Sequence, residues 1–364
     1  MSKYHNKIYY SYIAVTFLFI IFTTNYPSLH NLIYLFNQLD VISYSEIAKT
    51  APLILKENPV IIKHVGQRFL IPYMIGSSAY FFDIDIFTIF KIATFMSIFF
   101  YIFLINLIVK KFNLGLKESI LFFSLLFLNP YIIRYQIFNP VQVHDMIFFC
   151  LSLIFSLTII KKNYLVNSLT SMITIYLRQS SIALLIGTII FLSINKKKKL
   201  SIIFLIVFIL SFLLIIKAGE IISVDEFPIR NAYGLIFYDF SQTEKLVKFL
   251  LLASLPFFPL LVILFGNINK NINYYNVIVI LLVCLMMIAQ PILGGPNYST
   301  NNVGRIANLC YPILTFLFFY ILNFKRFVEK NFLFYIFIIG MFFWSLHPTF
   351  SIFRIFSSLR FYNY

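Results

Sequence analysis

Long runs of uncharged apolar residues alternate with short polar stretches along this chain. The runs extend over about 15–24 residues, the length with which a helix crosses a hydrocarbon core of roughly 30 Å. In lipid, every backbone N–H and C=O group must be bonded within its own segment, so such runs form helices. Hydrophobic residues make up 60% of the 364 residues, and the mean hydropathy is +0.89, far above the range of soluble domains. The pattern therefore predicts an all-α, polytopic membrane protein.

The runs predict about eleven transmembrane helices in a single membrane domain over residues 1–364. The first run follows Lys3, His5 and Lys7, and no small-residue cleavage site comes after it. It therefore predicts an uncleaved first span with a cytoplasmic N-terminus. The predicted spans lie near residues 8–24, 86–109, 119–133, 146–160, 164–177, 180–194, 200–216, 249–265, 275–292, 307–323 and 331–347.

Charge is distributed unequally over the two faces that this arrangement defines, on a chain with a formal net charge of +16. The predicted cytoplasmic loops are basic and nearly free of acidic residues, as the positive-inside rule requires. Because the basic residues are spread over short loops, they indicate membrane orientation and argue against a nucleic-acid partner. The basic residues of these loops are Lys110, Lys111, Lys117, Lys161, Lys162, Lys196 to Lys199, Lys270, Lys325, Arg326 and Lys330. The acidic residues that fall on the outer face are Asp40, Glu46, Glu57, Glu220, Asp225, Glu226 and Asp239.

The region between the first two spans, residues 25–85, predicts a large helical loop on the outer face. Apolar residues at helical spacing over residues 29–39 predict an amphipathic helix that lies on the membrane. The apolar run over residues 68–82 is shorter than a span and contains Pro72 and Gly76. Counting this run as a span would move every later basic loop outside, so it predicts an interfacial or re-entrant helix. Large structured loops on one face of a bundle usually carry function.

The first outer loop contains the motif Asp-Val-Ile-Ser-Tyr-Ser-Glu-Ile-Ala over residues 40–48. Asp40 and Tyr44 are four residues apart, so on a helix their side chains share one face. The motif is similar to that of the C-type membrane glycosyltransferases, such as the aminoarabinose transferases and the protein O-mannosyltransferases. These enzymes move a sugar from a polyprenyl-phosphate or polyprenyl-diphosphate carrier onto an acceptor outside the membrane.

The resemblance extends to three further positions. In the family the loop continues into a basic, proline-containing helix, which residues 64–72 with Arg68 in their middle resemble. Lys91 resembles the basic residue that the family has near the start of its second span. His144 and Asp145, at the entrance of the fourth span, resemble the short motif around an aspartate at the end of the family's second outer loop.

The resemblance covers about residues 8–195 and implies a catalytic module there, with the outer loop 25–85 as part of it. Residues 196–364 would then be additional transmembrane helices. The implied protein is a multi-pass transferase of the cell membrane, a bacterial inner membrane in particular. Its expected partners are a lipid-linked sugar donor, membrane lipids, and an acceptor that is a glycan, a lipid or a protein.

Sugar transfer from a lipid phosphate needs a base for the acceptor hydroxyl and positive charge beside the departing phosphate. Asp40 is the predicted base, and Asp145 is the predicted second acid or base, or the group that orients the acceptor. Arginine side chains suit the phosphate because a guanidinium group binds it through a bidentate fork. The predicted substrate-binding residues are Tyr44, His64, Arg68, Lys91, His144, Arg178 and Arg305.

The sequence does not decide whether a divalent metal ion takes part in the reaction. The family often has an acidic residue directly after its first aspartate, and this chain has Val41 there. A lone carboxylate is a weak ligand set for Mg²⁺ or Mn²⁺, which take several oxygen ligands. No other cofactor is predicted.

Several of these candidate site residues also have a purely structural interpretation. Asp40 and Asp145 stand where a carboxylate caps a helix. Arg178 and Arg305 also suit contact with lipid headgroups. His64 has no partner at ligand spacing in the sequence, which favours a structural role for it.

Two other functions compete with the transferase. A lipid-sugar flippase or transporter would contain inverted repeats and spans broken by glycine or proline in matching halves, and the sequence has no such repeat. An O-antigen-type polymerase has its large outer loop later in the chain. In that alternative the second outer loop, residues 217–248, would provide the catalytic groups Glu220, Asp225, Glu226 and Arg230.

Overall fold

The computed structural model describes residues 3–36, 39–53, 56–224, 240–269, 272–299, 303–347 and 351–352. These residues are almost entirely helical, and the sheet that they form is one pair of two-residue antiparallel strands, β1 Asn267–Ile268 and β2 Leu322–Asn323. The prediction of an all-α protein is confirmed at that level. The α-helices are α1 Lys3–Thr23, α2 Leu29–Phe36, α3 Leu39–Thr50, α4 Lys63–Gly66, α5 Leu70–Phe82, α6 Ile86–Lys111, α7 Leu116–Phe127, α8 Ile133–Phe138, α9 Val143–Ile160, α10 Tyr164–Thr174, α11 Ile182–Ile194, α12 Lys198–Ile222, α13 Thr243–Ser254, α14 Tyr274–Ser299, α15 Val303–Ala307, α16 Tyr311–Ile321, α17 Lys325–Glu329 and α18 Asn331–Ser345. Short 3₁₀ helices lie at Pro140–Gln142, Gln179–Ser181, Phe240–Gln242, Leu255–Phe265 and Asn308–Cys310.

Seven stretches of helix among the described residues are long and apolar enough to cross a membrane, as a polytopic helical protein requires. They coincide with seven of the predicted spans, so the apolar runs were placed correctly along the chain in these regions. The seven stretches are His5–Thr23, Ile86–Lys111, Pro140–Ile160, Lys198–Ile222, Phe240–Phe265, Tyr274–Leu293 and Val303–Ile321.

The other four predicted spans coincide with the shorter helices α7, α10, α11 and α18. These helices have 11 to 15 residues. At 1.5 Å per residue they are about 17–23 Å long, shorter than the hydrocarbon core of roughly 30 Å. Helix α7 ends at Phe127, shortly before Asn129-Pro130, because the residue before a proline is biased away from helical backbone angles. The total of about eleven spans stays a prediction.

The chain divides into two compact units. The first unit comprises Met1–Asn25, Tyr101–Tyr135 and Arg230–Tyr364, and the second unit comprises Tyr26–Phe100 and Gln136–Ile229. Each unit contains residues from both sides of position 195, where the family resemblance ends. The second unit holds the long first outer loop together with helices α9 to α12, and with them most of the predicted site residues.

Aromatic side chains dominate the core of the first unit. Helix α7 packs against α1, α16 and α18. The ring centroids of Phe122 on α7 and Phe319 on α16 lie 4.7 Å apart, and those of Phe123 and Phe127 lie 4.8 Å apart in a stacked arrangement. Such pairs add to the stabilisation that burial of the rings already provides.

Most of the described residues in the segment predicted as the first outer loop are helical. Helix α2 starts the predicted amphipathic segment, and α3 begins at Leu39, while residues 37–38 lie outside the described part. Helix α5 covers most of the predicted interfacial run, and its 13 residues are about 20 Å long. Its last residues Tyr80, Phe81 and Phe82 are exposed. That α5 lies in the outer interface without crossing stays a prediction.

Two close backbone approaches position the loop helices of the second unit. Helix α5 packs against α3, and a Cβ atom on Gly76 would lie 1.9 Å from the carbonyl oxygen of Ala48. Helix α4 packs against α12, where a Cβ atom on Gly219 would lie 3.2 Å from the Lys63 carbonyl oxygen. Glycine permits both approaches because it has no side chain. Helices α3 and α4 are thereby held at fixed positions next to α5 and α12.

Candidate functional site

Two residue pairs with the same helical spacing face each other in the second unit. Asp40 and Tyr44 lie one turn apart on α3, and His64 and Arg68 lie one turn apart on α4 and the residues that follow it. His64 Nε2 lies 3.1 Å from Asp40 Oδ1. One turn further along, Arg68 Nη1 donates a hydrogen bond of 3.1 Å to the Tyr44 hydroxyl oxygen. The i,i+4 spacing on both elements thus produces two parallel cross-links between them.

Gln179, the first residue of the 3₁₀ helix Gln179–Ser181, supports the Arg68–Tyr44 cross-link. Its side-chain oxygen accepts hydrogen bonds from Arg68 Nε, at 2.7 Å, and from Arg68 Nη2. Its amide nitrogen donates to the His64 carbonyl oxygen and to Gln67 Oε1, both at 2.9 Å. Residues 64 to 68 are therefore fixed from two sides, by α3 and by Gln179.

His144 and Asp145, near the start of α9, form the buried end of the site. Tyr44 Oη lies 3.2 Å from His144 Nε2, and the same nitrogen lies 3.3 Å from Asp145 Oδ1. Arg178 donates from Nε to Asp145 Oδ1 and from Nη2 to Asp145 Oδ2, which makes the pair bidentate. Charge-assisted, bidentate pairs of this kind combine strength with a fixed geometry.

Together these contacts form one polar network, defined by Asp40, Tyr44, His64, Arg68, His144, Asp145, Arg178 and Gln179. Its exposure falls steadily from one end to the other. The side chain of His64 is 43% exposed and that of Asp40 is 17% exposed. Arg68 is 8% exposed, whereas Asp145 at the far end is 0% exposed. The Asp40 end of the network is therefore accessible from outside the protein, while the Asp145–Arg178 pair is enclosed by protein.

Burial and neighbouring charge keep two central groups in fixed protonation states. Burial raises the pKa of Tyr44 from its ordinary value, although the charge of Arg68 acts in the opposite direction. Tyr44 is therefore a neutral phenol at physiological pH. Burial lowers the pKa of Arg68, but Tyr44 and Asp40 raise it and the net change is upward. Arg68 is therefore a permanent cation.

Seven of the nine predicted site residues belong to the network, and the other two are Lys91 and Arg305. Lys91 is exposed on α6, with its ammonium 4.5 Å from the ring centroid of Phe87. Arg305 is a residue of α15 in the first unit, where its Nη1 donates a hydrogen bond of 2.9 Å to the hydroxyl of Tyr135. That Lys91 and Arg305 bind substrate stays a prediction.

Sequence reasoning missed Gln179 as a site residue. A neutral amide gives no signal in a search for acids, bases and cations, and its role depends on residues more than a hundred positions away. Its position next to Arg178 was the only available indication. Arg134, a fully buried arginine of the first unit, was also missed; it donates hydrogen bonds to the hydroxyls of Thr23, Thr24 and Ser345.

The groups in the network do not fit a divalent metal ion. Within the described ranges, no three His, Cys, Asp or Glu side chains gather at ligand spacing. Both oxygens of Asp145 accept from Arg178, whose positive charge would repel a second cation. Asp40 stands next to an imidazole, whereas Mg²⁺ prefers several oxygen ligands in an octahedral arrangement.

The polymerase alternative depends on residues that lie largely outside the described part of the chain. Asp225, Glu226 and Arg230 belong to the undescribed residues 225–239. Glu220 is described, and it forms surface ion pairs with Lys63, at 3.8 Å, and with Lys217, at 3.2 Å.

Comparison with protein-family models, with curated proteins and with solved structures gives no match for this chain. The resemblance to C-type membrane glycosyltransferases therefore rests on the motif positions, six of which lie in one network of the second unit.

Proposed function

We propose that this protein is a membrane glycosyltransferase of the C type, which moves a sugar from a polyprenyl-phosphate-type donor to an acceptor at the outer face. One observation supports this most directly: the parallel contacts His64–Asp40 and Arg68–Tyr44 hold an accessible carboxylate, Asp40, and a buried guanidinium, Arg68, one helical turn apart along facing elements, and the charge of Asp40 acts on Arg68. A base beside a fixed positive charge is the arrangement that such a transfer needs. His64 holds one oxygen of Asp40 and orients the carboxylate.

In the proposed reaction, the oxygen of the acceptor hydroxyl attacks the anomeric carbon of the donor sugar. The bond between that carbon and the phosphate oxygen breaks, and its electron pair leaves with the phosphate. The hydroxyl proton passes to Asp40, and the phosphate gains one negative charge beside Arg68. Attack from the side opposite the phosphate inverts the configuration of the sugar carbon.

Asp145 takes a different role in this proposal from the one expected of it. Its side chain is fully buried, and both oxygens are held by Arg178. A carboxylate in that position does not reach a substrate, so Asp145 is a positioning residue. Through His144 it fixes Tyr44, which in turn accepts from Arg68.

The proposal places the network on the outer face, and the orientation of α12 tests this. This 25-residue helix is about 38 Å long. Lys198, its first residue, and Val224, two residues beyond its last residue Ile222, are both exposed. The positive-inside rule puts Lys198 in the cytoplasm, so a cysteine at 224 should react with an impermeant maleimide in intact cells and one at 198 should not. The native cysteines are buried and should give little background. The reverse labelling pattern would overturn the orientation.

Binding of the donor gives a second test. A ligand that binds only the folded state at 100 times its Kd stabilises that state by about 2.7 kcal/mol. We expect a polyprenyl-phosphate sugar to raise the melting temperature of the wild type in detergent. Arg68→Gln should lose most of this rise, because it removes the buried charge that faces the phosphate. Lys91→Gln, which removes an exposed charge outside the network, should keep it.

Two outcomes would count against the proposal. Equal donor-dependent stabilisation of the wild type and Arg68→Gln would mean that the network does not hold the phosphate. Donor binding without sugar transfer to any glycan, lipid or protein acceptor would favour the flippase or transporter instead.

A further inference from the structure

Gln179 lies at the centre of the network although it has no charge. Four hydrogen bonds join its side chain to Arg68, His64 and Gln67, two of them accepted from one guanidinium. The backbone explains how it reaches them. Arg178 has extended angles, φ −154° and ψ 141°, and successive side chains of extended backbone point to opposite sides. Arg178 therefore turns to Asp145, and Gln179 turns to Arg68.

Arg178 and Arg68 differ in the charge of their hydrogen-bond partners. Arg178 is paired with a carboxylate, so its charge is neutralised within the network. Among the described residues, Arg68 donates only to the neutral side chains of Tyr44 and Gln179. A buried cation is usually paired with an anion, because burial of an isolated charge is costly. Arg68 thus keeps a positive charge that its own hydrogen-bond partners do not neutralise.

We infer that Gln179 is a positioning residue that holds Arg68 as a cation with no carboxylate hydrogen-bonded to it, so that the site accepts the anionic phosphate ester of the donor. This inference rests on the proposed function for the identity of the ligand. A glutamate has nearly the same shape and could hold the same two guanidinium nitrogens, but its charge would complete an ion pair with Arg68. An amide fixes the guanidinium without competing with the phosphate.

The experiment compares three variants in purified full-length protein. Gln179→Glu should weaken binding of a polyprenyl phosphate by about 10- to 100-fold, the range expected when a charge-assisted hydrogen bond to the ligand is lost. Gln67→Glu is the matched control, since it adds the same charge one residue from Arg68 and keeps an acceptor for the Gln179 amide. It should change affinity by less than about threefold, because a partly exposed charge is well screened.

Gln179→Met separates charge from positioning. Methionine is similar in length and neutral, so it removes the four hydrogen bonds without placing a carboxylate on Arg68. It should therefore weaken binding less than Gln179→Glu does. The neutral alcohol polyprenol serves as a second probe, and its binding should be equal in all variants, whereas a misfolded protein would lose both ligands.

The outcomes distinguish this inference from the function on which it rests. If the wild type fails to bind polyprenyl phosphate, the proposed function is wrong. If the wild type binds it and Gln179→Glu binds it equally well, the function stands and the role of Gln179 is wrong. Equal losses in Gln179→Glu and Gln179→Met would also overturn the inference, because the hydrogen bonds alone would then account for the effect.

Discussion

Replacing Asp40 by asparagine is expected to lower turnover by roughly 10²- to 10⁴-fold, the usual contribution of a general base. Asparagine keeps the shape of the side chain and a hydrogen bond to His64, but it does not accept the proton of the acceptor hydroxyl. Donor binding should be largely unchanged, because it depends on Arg68. The measurement is single-turnover transfer from a lipid-linked sugar, alongside the donor affinity of the same preparation.

Asp85→Asn is the matched control for this variant. Asp85 is an exposed carboxylate of the same unit, and it caps α6 by accepting from the Thr88 backbone N–H at 2.9 Å. Asparagine caps helices equally well, so both turnover and stability should be retained. If Asp40→Asn instead lowers the melting temperature and the surviving protein turns over normally, Asp40 has a structural role and the proposed base is wrong.

Breaking the Asp145–Arg178 pair is expected to destabilise the protein by about 3–5 kcal/mol, because either single change leaves the other charge buried without its counter-charge. Both side chains are almost completely buried, so solvent does not screen the remaining charge. Asp145→Leu and Arg178→Met provide the two single changes. Denaturant unfolding in detergent, followed separately for each variant, gives the free energies.

The double variant Asp145→Leu with Arg178→Met tests the reason for this loss. With both charges replaced by apolar groups of similar volume, most of the stability should return. The exposed pair Glu46–Lys49, 3.6 Å apart, is the control, and its removal should have little effect. Strictly additive losses in the double variant would show that Asp145 and Arg178 do not act as a pair. The double variant should remain slow in transfer, since Tyr44 and Arg68 lose their support.

Local pattern was sufficient for the helices that lie in long apolar runs. A run of about 20 uncharged residues has one stable structure in lipid, because only a helix pairs its own backbone groups. Helices α6 and α12 are of this kind, and the sequence placed both within a few residues. Run length was a poor guide where polar residues or proline interrupt the helix, as at Asn129-Pro130 after α7.

Spacing on a single element was also informative for the candidate site. Asp40 and Tyr44, like His64 and Arg68, are separated by one helical turn, so their common faces follow from the geometry of a helix. The partners across elements do not follow from it. Tyr44 and His144 are 100 residues apart, and Arg68 and Gln179 are 111 residues apart. No local property of the chain specifies such contacts.

The sequence by itself thus determined the helical class, most of the apolar helices, and the residue types able to handle a proton or a phosphate. The tertiary structure alone decided which of those residues meet, and it put Arg305 in the first unit and Arg68 and Arg178 in the second. It also decided which arginine hydrogen-bonds to a carboxylate, Arg178 with Asp145, and which one bonds to the neutral side chains of Tyr44 and Gln179, Arg68. The physical reason is that helix formation depends on each segment and its solvent, whereas burial and pairing of charge depend on segments that only folding brings together.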